Sequence, residues 1–171
     1  MSQLTSRRAF LSAKVIREDS HIVRPPGSVR PGFADQCSRC GDCAEACPES
    51  IISFDSDGFP VFEPSDNPCT FCGDCAVACP TDALHIERLT DWPWRAAFND
   101  GLCLSMNGIS CRTCQDNCEQ NAIRFRLQLR GRAKPSLDVD ACNGCGGCVS
   151  LCPVDAITLK HQPIPQTEGS Q

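Results

Sequence analysis

Cys37-Ser38-Arg39-Cys40-Gly41-Asp42-Cys43-Ala44-Glu45-Ala46-Cys47-Pro48 returns almost unchanged as Cys69-Thr70-Phe71-Cys72-Gly73-Asp74-Cys75-Ala76-Val77-Ala78-Cys79-Pro80. A third copy runs through Cys142, Cys145, Cys148, Cys152 and Pro153, and an altered one through Cys103, Cys111, Cys114 and Cys118. Together the four phrases use all 16 cysteines of the 171-residue chain. Two-residue gaps let one loop present three thiols to a common centre. The fourth thiol lies i+4 from the third, one helical turn on, and the following proline is where that turn stops continuing regularly. Three close thiolates on one loop suit three corners of a 4Fe-4S cube.

Two other uses of cysteine compete with that reading. A secreted disulfide scaffold has this density of cysteine, but export needs an apolar stretch of about 7 to 15 residues. After Arg8 the longest uncharged run before Lys14 is Ala9 to Ala13, and Arg17, Glu18 and Asp19 follow. Zinc also takes Cys-x2-Cys pairs, but in two separated pairs with no need of a third cysteine two residues on. Three regular copies and one altered copy favour iron–sulfur clusters, four in all. Each repeat unit of about 60 residues is marginal as a hydrophobic core. With 6% aromatic residues and no tyrosine, iron–thiolate bonds are expected to supply much of the folding free energy.

The formal charge is −5 with every cysteine neutral, and four clusters at about −2 each would take it to about −13. Nucleic acid is therefore a disfavoured partner. Residues 1–30 are the local exception, with Arg7, Arg8, Lys14, Arg17, Arg24 and Arg30 against Glu18 and Asp19. No stretch approaches the 18 or so apolar residues of a membrane span, and a soluble cytoplasmic chain is expected. Nothing points to an enzyme: His21, His85 and His161 are isolated and no glycine-rich phosphate loop is present. The Cys-x3-Cys-x2-Cys order of radical enzymes is missing too.

In chain order, residues 1–32 read as a basic arm and linker. Thr5-Ser6-Arg7-Arg8-Ala9-Phe10-Leu11 has the front half of a twin-arginine export signal without its apolar core. Pro25-Pro26-Gly27 and Pro31-Gly32 break any helix. Residues 33–90 form a first unit, with Ile52 and Phe54 as a short strand, Asp55 to Gly58 as a turn, and Val61 and Phe62 as the return. Residues 91–102 join the halves and hold Trp92 and Trp94, read as an interdomain plug, with a docking surface as the alternative. Residues 103–160 repeat the design, with a hairpin from Ile123 to Leu129 and Lys134 to Leu137, and residues 161–171 read as a disordered tail.

Three residues past the last cysteine of each phrase stand Ser50, Asp82, Asn121 and Asp155, all turn formers. Five and seven past it stand Ile52 and Phe54, Leu84 and Ile86, Ile123 and Phe125, Ile157 and Leu159. Their period of two predicts one shared face over the clusters. Gly41, Gly73, Gly146 and Gly147 should let the backbone approach closely and bring amides to cluster sulfur. The altered phrase departs from this: its first gap is seven residues, Leu104 to Ser110, Arg112 replaces the glycine and Glu119 the proline. The cluster it helps to hold is expected to differ in potential or lability.

The run Cys-x2-Cys-x2-Cys-x3-Cys-Pro resembles that of bacterial two-cluster ferredoxins. The resemblance implies an α+β fold of two tandem bacterial-ferredoxin-like domains, each a pseudo-twofold βαββαβ unit. It also implies crossed ligation. In the first half Cys37, Cys40, Cys43 and Cys79 would hold one cluster, and Cys69, Cys72, Cys75 and Cys47 the second. In the second half Cys103, Cys111, Cys114 and Cys152 would hold the third, and Cys142, Cys145, Cys148 and Cys118 the fourth.

A narrower likeness rests on the Ser6-Arg7-Arg8 opening, Arg24-Pro25-Pro26, the long gap from Cys103 to Cys111, the run Cys111 to Glu119, and Cys142-Asn143-Gly144-Cys145. With these the chain resembles the NapF family, ferredoxin-type accessory proteins of periplasmic nitrate reductase. A relative in the same pathway, NapG, carries a full twin-arginine signal, and the missing apolar segment favours NapF. The resemblance implies a cytoplasmic, non-catalytic protein that meets the immature catalytic subunit and a redox donor protein, and helps that subunit acquire or reduce its iron–sulfur centre. The alternative is an electron-transfer polyferredoxin subunit of a respiratory or fermentative oxidoreductase complex.

Overall fold

Each cysteine phrase closes on a single helical turn. The computed structural model describes residues 22–64, 67–129 and 132–162. It contains a lead-in turn α1 (Phe33–Gln36), then α2 (Asp42–Glu45) and α3 (Asp74–Val77) in the first half, and α4 (Thr113–Asp116) and α5 (Gly147–Ser150) in the second. In the first phrase the Cys47 amide already bonds back only three residues, to Ala44, so the turn ends ahead of Pro48 as expected. Helices of four residues have no stability of their own. They pack in pairs, α2 on α3 and α4 on α5. The basic arm with Arg7, Arg8 and His21, and the tail from residue 163, lie outside the described residues.

Between α2 and α3 runs the expected hairpin, β1 (Ile52–Phe54) with β2 (Pro60–Phe62), antiparallel with Ile52 opposite Phe62. Its turn is built by Asp55, whose carboxylate accepts from the amides of Asp57 at 3.0 Å and Phe59 at 2.9 Å. The second half has the corresponding hairpin, β4 (Ile123–Leu127) with β5 (Ala133–Leu137).

The outer strands distinguish the halves. Residues 94–98, read from sequence as part of a joining stretch, are strand β3 (Trp94–Phe98). It pairs antiparallel with β6 (Ile157–His161), Trp94 opposite His161 and Phe98 opposite Ile157. The second half thus runs β3-α4-β4-β5-α5-β6, and His161, assigned above to the tail, belongs to its last strand. In the first half the outer pair is a single bridge between Ser28 and Leu84, so a full βαββαβ unit is not formed there. Pro25 and Pro26 have no amide to donate, and on the other side Ile86–Asp91 already turns as a 3-10 helix whose first turn is capped by the His85 ring accepting from the Glu87 amide.

The stretch 23–29 is nonetheless strapped to the first unit. Val23 accepts from the Phe62 amide at 2.7 Å, Val29 donates to Ala83 at 2.9 Å, and Gly27 accepts from His85 at 3.0 Å. Gly27 has φ +84, and a Cβ there would lie 2.6 Å from the His85 oxygen, so only glycine fits. Arg24 anchors the strap. It is buried, 2.9 Å from Asp55 and 3.1 Å from the Pro60 carbonyl, with its guanidinium over the rings of Phe33 and Phe59.

The two tryptophans close the seam between the halves. Trp92 and Trp94 are buried in one cluster with Ile51 and Phe62. Trp92 meets Phe62 and Phe71 edge-on at 5.2 and 6.1 Å and donates from Nε1 to the Gly144 carbonyl at 3.2 Å. They act as a plug, and truncating either to alanine removes about 3–5 kcal/mol of packing.

Arg24 also gives the strap a pH signature. Burial works to raise the Asp55 carboxyl, but the Phe59 amide, the Arg24 guanidinium and the Asp57 amide outweigh it and hold it below its ordinary 3.8. A depressed folded value adds stability that is complete above the unfolded value and lost as pH falls through the folded one. Arg24→Met leaves Asp55 without its cation and is expected to cost about 3 kcal/mol at neutral pH. In anaerobic urea titrations the gap from wild type should narrow only as pH falls below the ordinary 3.8 and through the depressed folded value of wild-type Asp55, below which the group is protonated in both chains.

Candidate metal centres

In the three regular phrases the residues on both sides of the second cysteine are left-handed. Arg39 and Gly41 have φ 59° and 94°, Phe71 and Gly73 56° and 86°, Gly144 and Gly146 73° and 84°. Alternating hand turns successive amides inward, toward a bound anion. Further on, Ser50, Asn121 and Asp155 are also left-handed, at φ 54°, 51° and 49°. Asp82 is not among them and instead accepts from Arg88 at 3.1 Å.

The loops and turns leave four cavities, three lined by four thiols from two phrases and the fourth by such a set with a fifth thiol beside it. One holds Cys37, Cys40, Cys43 and Cys79, with Phe33, Pro60 and Leu84 as apolar wall. The next holds Cys47, Cys69, Cys72 and Cys75 against Ile51 and Phe62. In the second half Cys103, Cys111, Cys114 and Cys152 line one cavity with Phe98 and Phe125. Cys118, Cys142, Cys145 and Cys148 line the other, together with Cys69 of the first half. All sixteen cysteines are free thiols, and among the described residues no three His, Cys, Asp or Glu side chains converge as around one metal ion. Four thiols about an apolar hollow, with inward amides, are a donor set that fits an iron–sulfur cube.

Electrostatics agree with that grouping. Burial first, then neighbouring thiolates, pushes Cys43 up to about 11 through Cys37, Cys40 and Cys79, and Cys114 up to about 12 through Cys103, Cys111 and Cys152. Cys75 and Cys148 rise to about 12 for the same reasons. Cys69 rises to about 11 by burial, against a lowering bond from the Phe71 amide, with charge at Cys47, Cys72 and Cys145 adding to the rise. Without iron these thiols keep their protons at neutral pH, so iron binding displaces them.

The shared apolar face is only partly as expected. Of the positions five past the last cysteines, Leu84, Ile123 and Ile157 are 2–4% exposed and Ile52 is half-buried, whereas Phe54 and Ile86 at position seven are 48% and 44% exposed. The residue at position four, Ile51, Ala83, Ala122 or Ala156, is the more deeply buried wall. Sequence reading also missed the groups on sulfur. The Phe71 amide donates to Cys69 Sγ at 3.4 Å and the Ala156 amide to Cys152 Sγ at 3.2 Å. The hydroxyls of Thr81 and Thr113 lie 3.5 and 3.7 Å from Cys79 and Cys111 Sγ. A threonine two residues past a cysteine of the phrase was the available signal.

The altered phrase folds differently. Arg112 has φ −138° where the other copies have left-handed glycine. The long gap is an exposed but organised loop: Asn107 donates from Nδ2 to the carbonyls of Gly101 at 3.0 Å and Cys103 at 2.9 Å, and buried Ser105 donates to Ala133 at 2.7 Å.

Two tandem units, each with eight thiols in two four-thiol cavities, define an iron–sulfur protein of the dicluster ferredoxin class. The profile of the 4Fe-4S dicluster domain matches the chain twice, at residues 36–83 and 109–156, so four 4Fe-4S clusters are carried. Over 139 residues the chain is 50% identical to the ferredoxin-type protein NapF of Haemophilus influenzae, covering 80% of this chain and 78% of that one. Over 157 residues it is 38% identical to the ferredoxin-type protein NapF of Escherichia coli K12, covering 91% and 94%. Identity to the ferredoxin-type protein NapG of the same strain is 32% over 180 residues, covering 93% of this chain and 78% of that one. The chain belongs to the NapF family of ferredoxin-type proteins. No helix among the described residues is long and apolar enough to cross a membrane.

Asn107 ties down the third cavity's loop, so Asn107→Ala should free it. The expected loss is about 1–2 kcal/mol of local stability and severalfold faster decay in air of one cluster in four, followed by iron content and visible absorbance.

Proposed function

We propose that the chain holds its clusters on the four crossed thiol sets and serves in the cytoplasm as an accessory protein of periplasmic nitrate reductase. It meets the immature catalytic subunit before export and helps it acquire or reduce its iron–sulfur centre. The observation that carries this reading is the similarity to NapF proteins over 80–91% of the chain. The four cavities, each lined by one crossed set, support the ligand assignment.

A contact face is available on the second hairpin. Leu127 and Leu129 are 80% and 91% exposed, with exposed Arg132 beside them. That combination of bare leucine and cation suits docking to a protein segment that is apolar and acidic. A polyferredoxin subunit of an oxidoreductase complex is the second reading, favoured by direct contact between ligand loops of the two halves.

Crossed ligation is checked by single substitutions. Cys79→Ser should alter the same electron paramagnetic resonance signal as Cys40→Ser, and Cys47→Ser the same one as Cys72→Ser. Grouping of Cys79 with Cys72 would mean local ligation instead. Partner choice is read by anaerobic affinity capture from cells expressing nitrate reductase. Wild type is expected to recover the signal-bearing, immature catalytic subunit, and Leu127→Ser with Leu129→Ser to recover at least fivefold less at equal iron content. Removing residues 1–21, which spares the strap from Val23 onward, tests Arg7 and Arg8 separately. Recovery of a fixed, stoichiometric set of redox subunits and no immature nitrate reductase would establish the second reading.

A further inference from the structure

The fourth phrase is richer in glycine than the others, Gly144-Cys145-Gly146-Gly147. Gly144 and Gly146 share their left-handed turns with the other regular copies. Gly147 does not: it is the first residue of helix α5, with no left-handed φ, and its counterparts in the other phrases are Asp42, Asp74 and Thr113. Neither helix geometry nor ligation therefore calls for glycine at this position.

The seam does. A Cβ on Gly147 would lie 3.1 Å from the side chain of Pro68 and one on Gly146 2.6 Å from Pro64, both in the first half, while one on Gly144 would meet the Trp94 carbonyl of the second half's own β3. In the first phrase a Cβ on Gly41 would meet only the tip of Phe54 at 3.9 Å. The fourth ligand loop is thus pressed bare against the first half. There the Cys69 amide donates to the Cys145 carbonyl at 2.9 Å, main chain of one ligand residue to main chain of another. Thr70 and Phe71, next to Cys69, line the fourth cavity, and Trp92 clamps the loop through Gly144.

We propose that this seam is an electron junction: the Cys69–Cys145 hydrogen bond and the side-chain-free face at Gly147 hold the second and fourth thiol sets side by side, joining four clusters into one series. The order is first, second, fourth, third, since α2 packs on α3 and α4 on α5 within the halves. The inference rests on the thiol sets proposed above. A 4Fe-4S cluster supplies one-electron storage when bound. The chain's own part is to hold neighbouring sets in contact and to cover the junction with Phe62, Phe71 and Trp92.

The test uses the full chain, loaded anaerobically, with iron and sulfide counted per chain. Cys40→Ala with Cys111→Ala, which leave no donor atom for the vacated iron, is expected to leave two clusters, the second and fourth. Reduced with dithionite, that protein should give a spin–spin split, fast-relaxing spectrum, and adding Gly147→Asp, the residue two other phrases carry there, should collapse it to the sum of two isolated signals. Two clusters with an unsplit spectrum before that change would overturn the junction and leave the thiol sets standing. Retention of four clusters would overturn the thiol sets and the junction with them. Hydrogen exchange in the wild-type holoprotein needs no substitution: a slowly exchanging Cys69 amide supports the seam, and a Cys69 amide exchanging at the rate of an open loop sinks it.

Discussion

Four thiolates gathered in one apolar hollow repel each other and lose their solvation, and the side chains around them do little to offset either effect. Among the described residues Arg39 is the one cation lining any of the four cavities. Burial and mutual repulsion carry Cys75, Cys114 and Cys148 up to about 12. What balances the set is the iron and the amides aimed at sulfur, so the fold and its metal are one thermodynamic unit. The rest of the architecture follows from that dependence. Helices of a single turn, hairpins of three to five residues per strand and three small apolar clusters are too little to stand alone. They suffice once thiols distant in sequence are tied to a common centre.

The same plan, used twice, meets two different sequence contexts. In the second half β3 and β6 pair over five residues. In the first, the segment that would play β3 contains Pro25, Pro26 and a left-handed Gly27, and one bridge is all that forms. The lost ladder is replaced by side-chain anchoring, chiefly buried Arg24 on Asp55 and the Pro60 carbonyl. Arg88 adds to it, donating from Nε to Gly27 at 3.1 Å. A charged group in the interior is tolerated here because Asp55 and the Pro60 carbonyl accept from it and aromatic faces cover the guanidinium.

What was legible in the sequence is what is local. Cysteine spacing marks the four loops, Asp55 to Gly58 marks a turn, and alternation marks both hairpins, since each needs only neighbouring residues to be read. Strand β3 escaped because its partner β6 lies some sixty residues away and its sequence, between Pro93 and Asn99, has too few alternations to declare itself. The strap at 23–29 escaped because prolines there read as linker, although its bonds use the carbonyls of Val23 and Gly27 and the amide of Val29, none of which the prolines remove. Arg39 and Phe71 escaped for a third reason: a left-handed non-glycine residue has no compositional mark.

Glycine carries different information at different points of one motif, and that distinction separates the cluster loops from the assembly of the halves. Gly41, Gly73 and Gly146 answer a local demand, a left-handed turn beside a ligand. Where that demand is absent, at Arg112, φ is −138° and the loop before it is held by Asn107 and Ser105 instead. Gly147 answers a distant demand, the closeness of Pro68. The irregular phrase and the glycine-rich one therefore sit at opposite ends of the second half's logic. The first carries a long exposed loop beside a cavity whose described lining comes from the second half alone, and the second is bare where Pro64 and Pro68 of the first half approach it. Substituting a side chain in the first perturbs one centre; in the second it perturbs the relation between two.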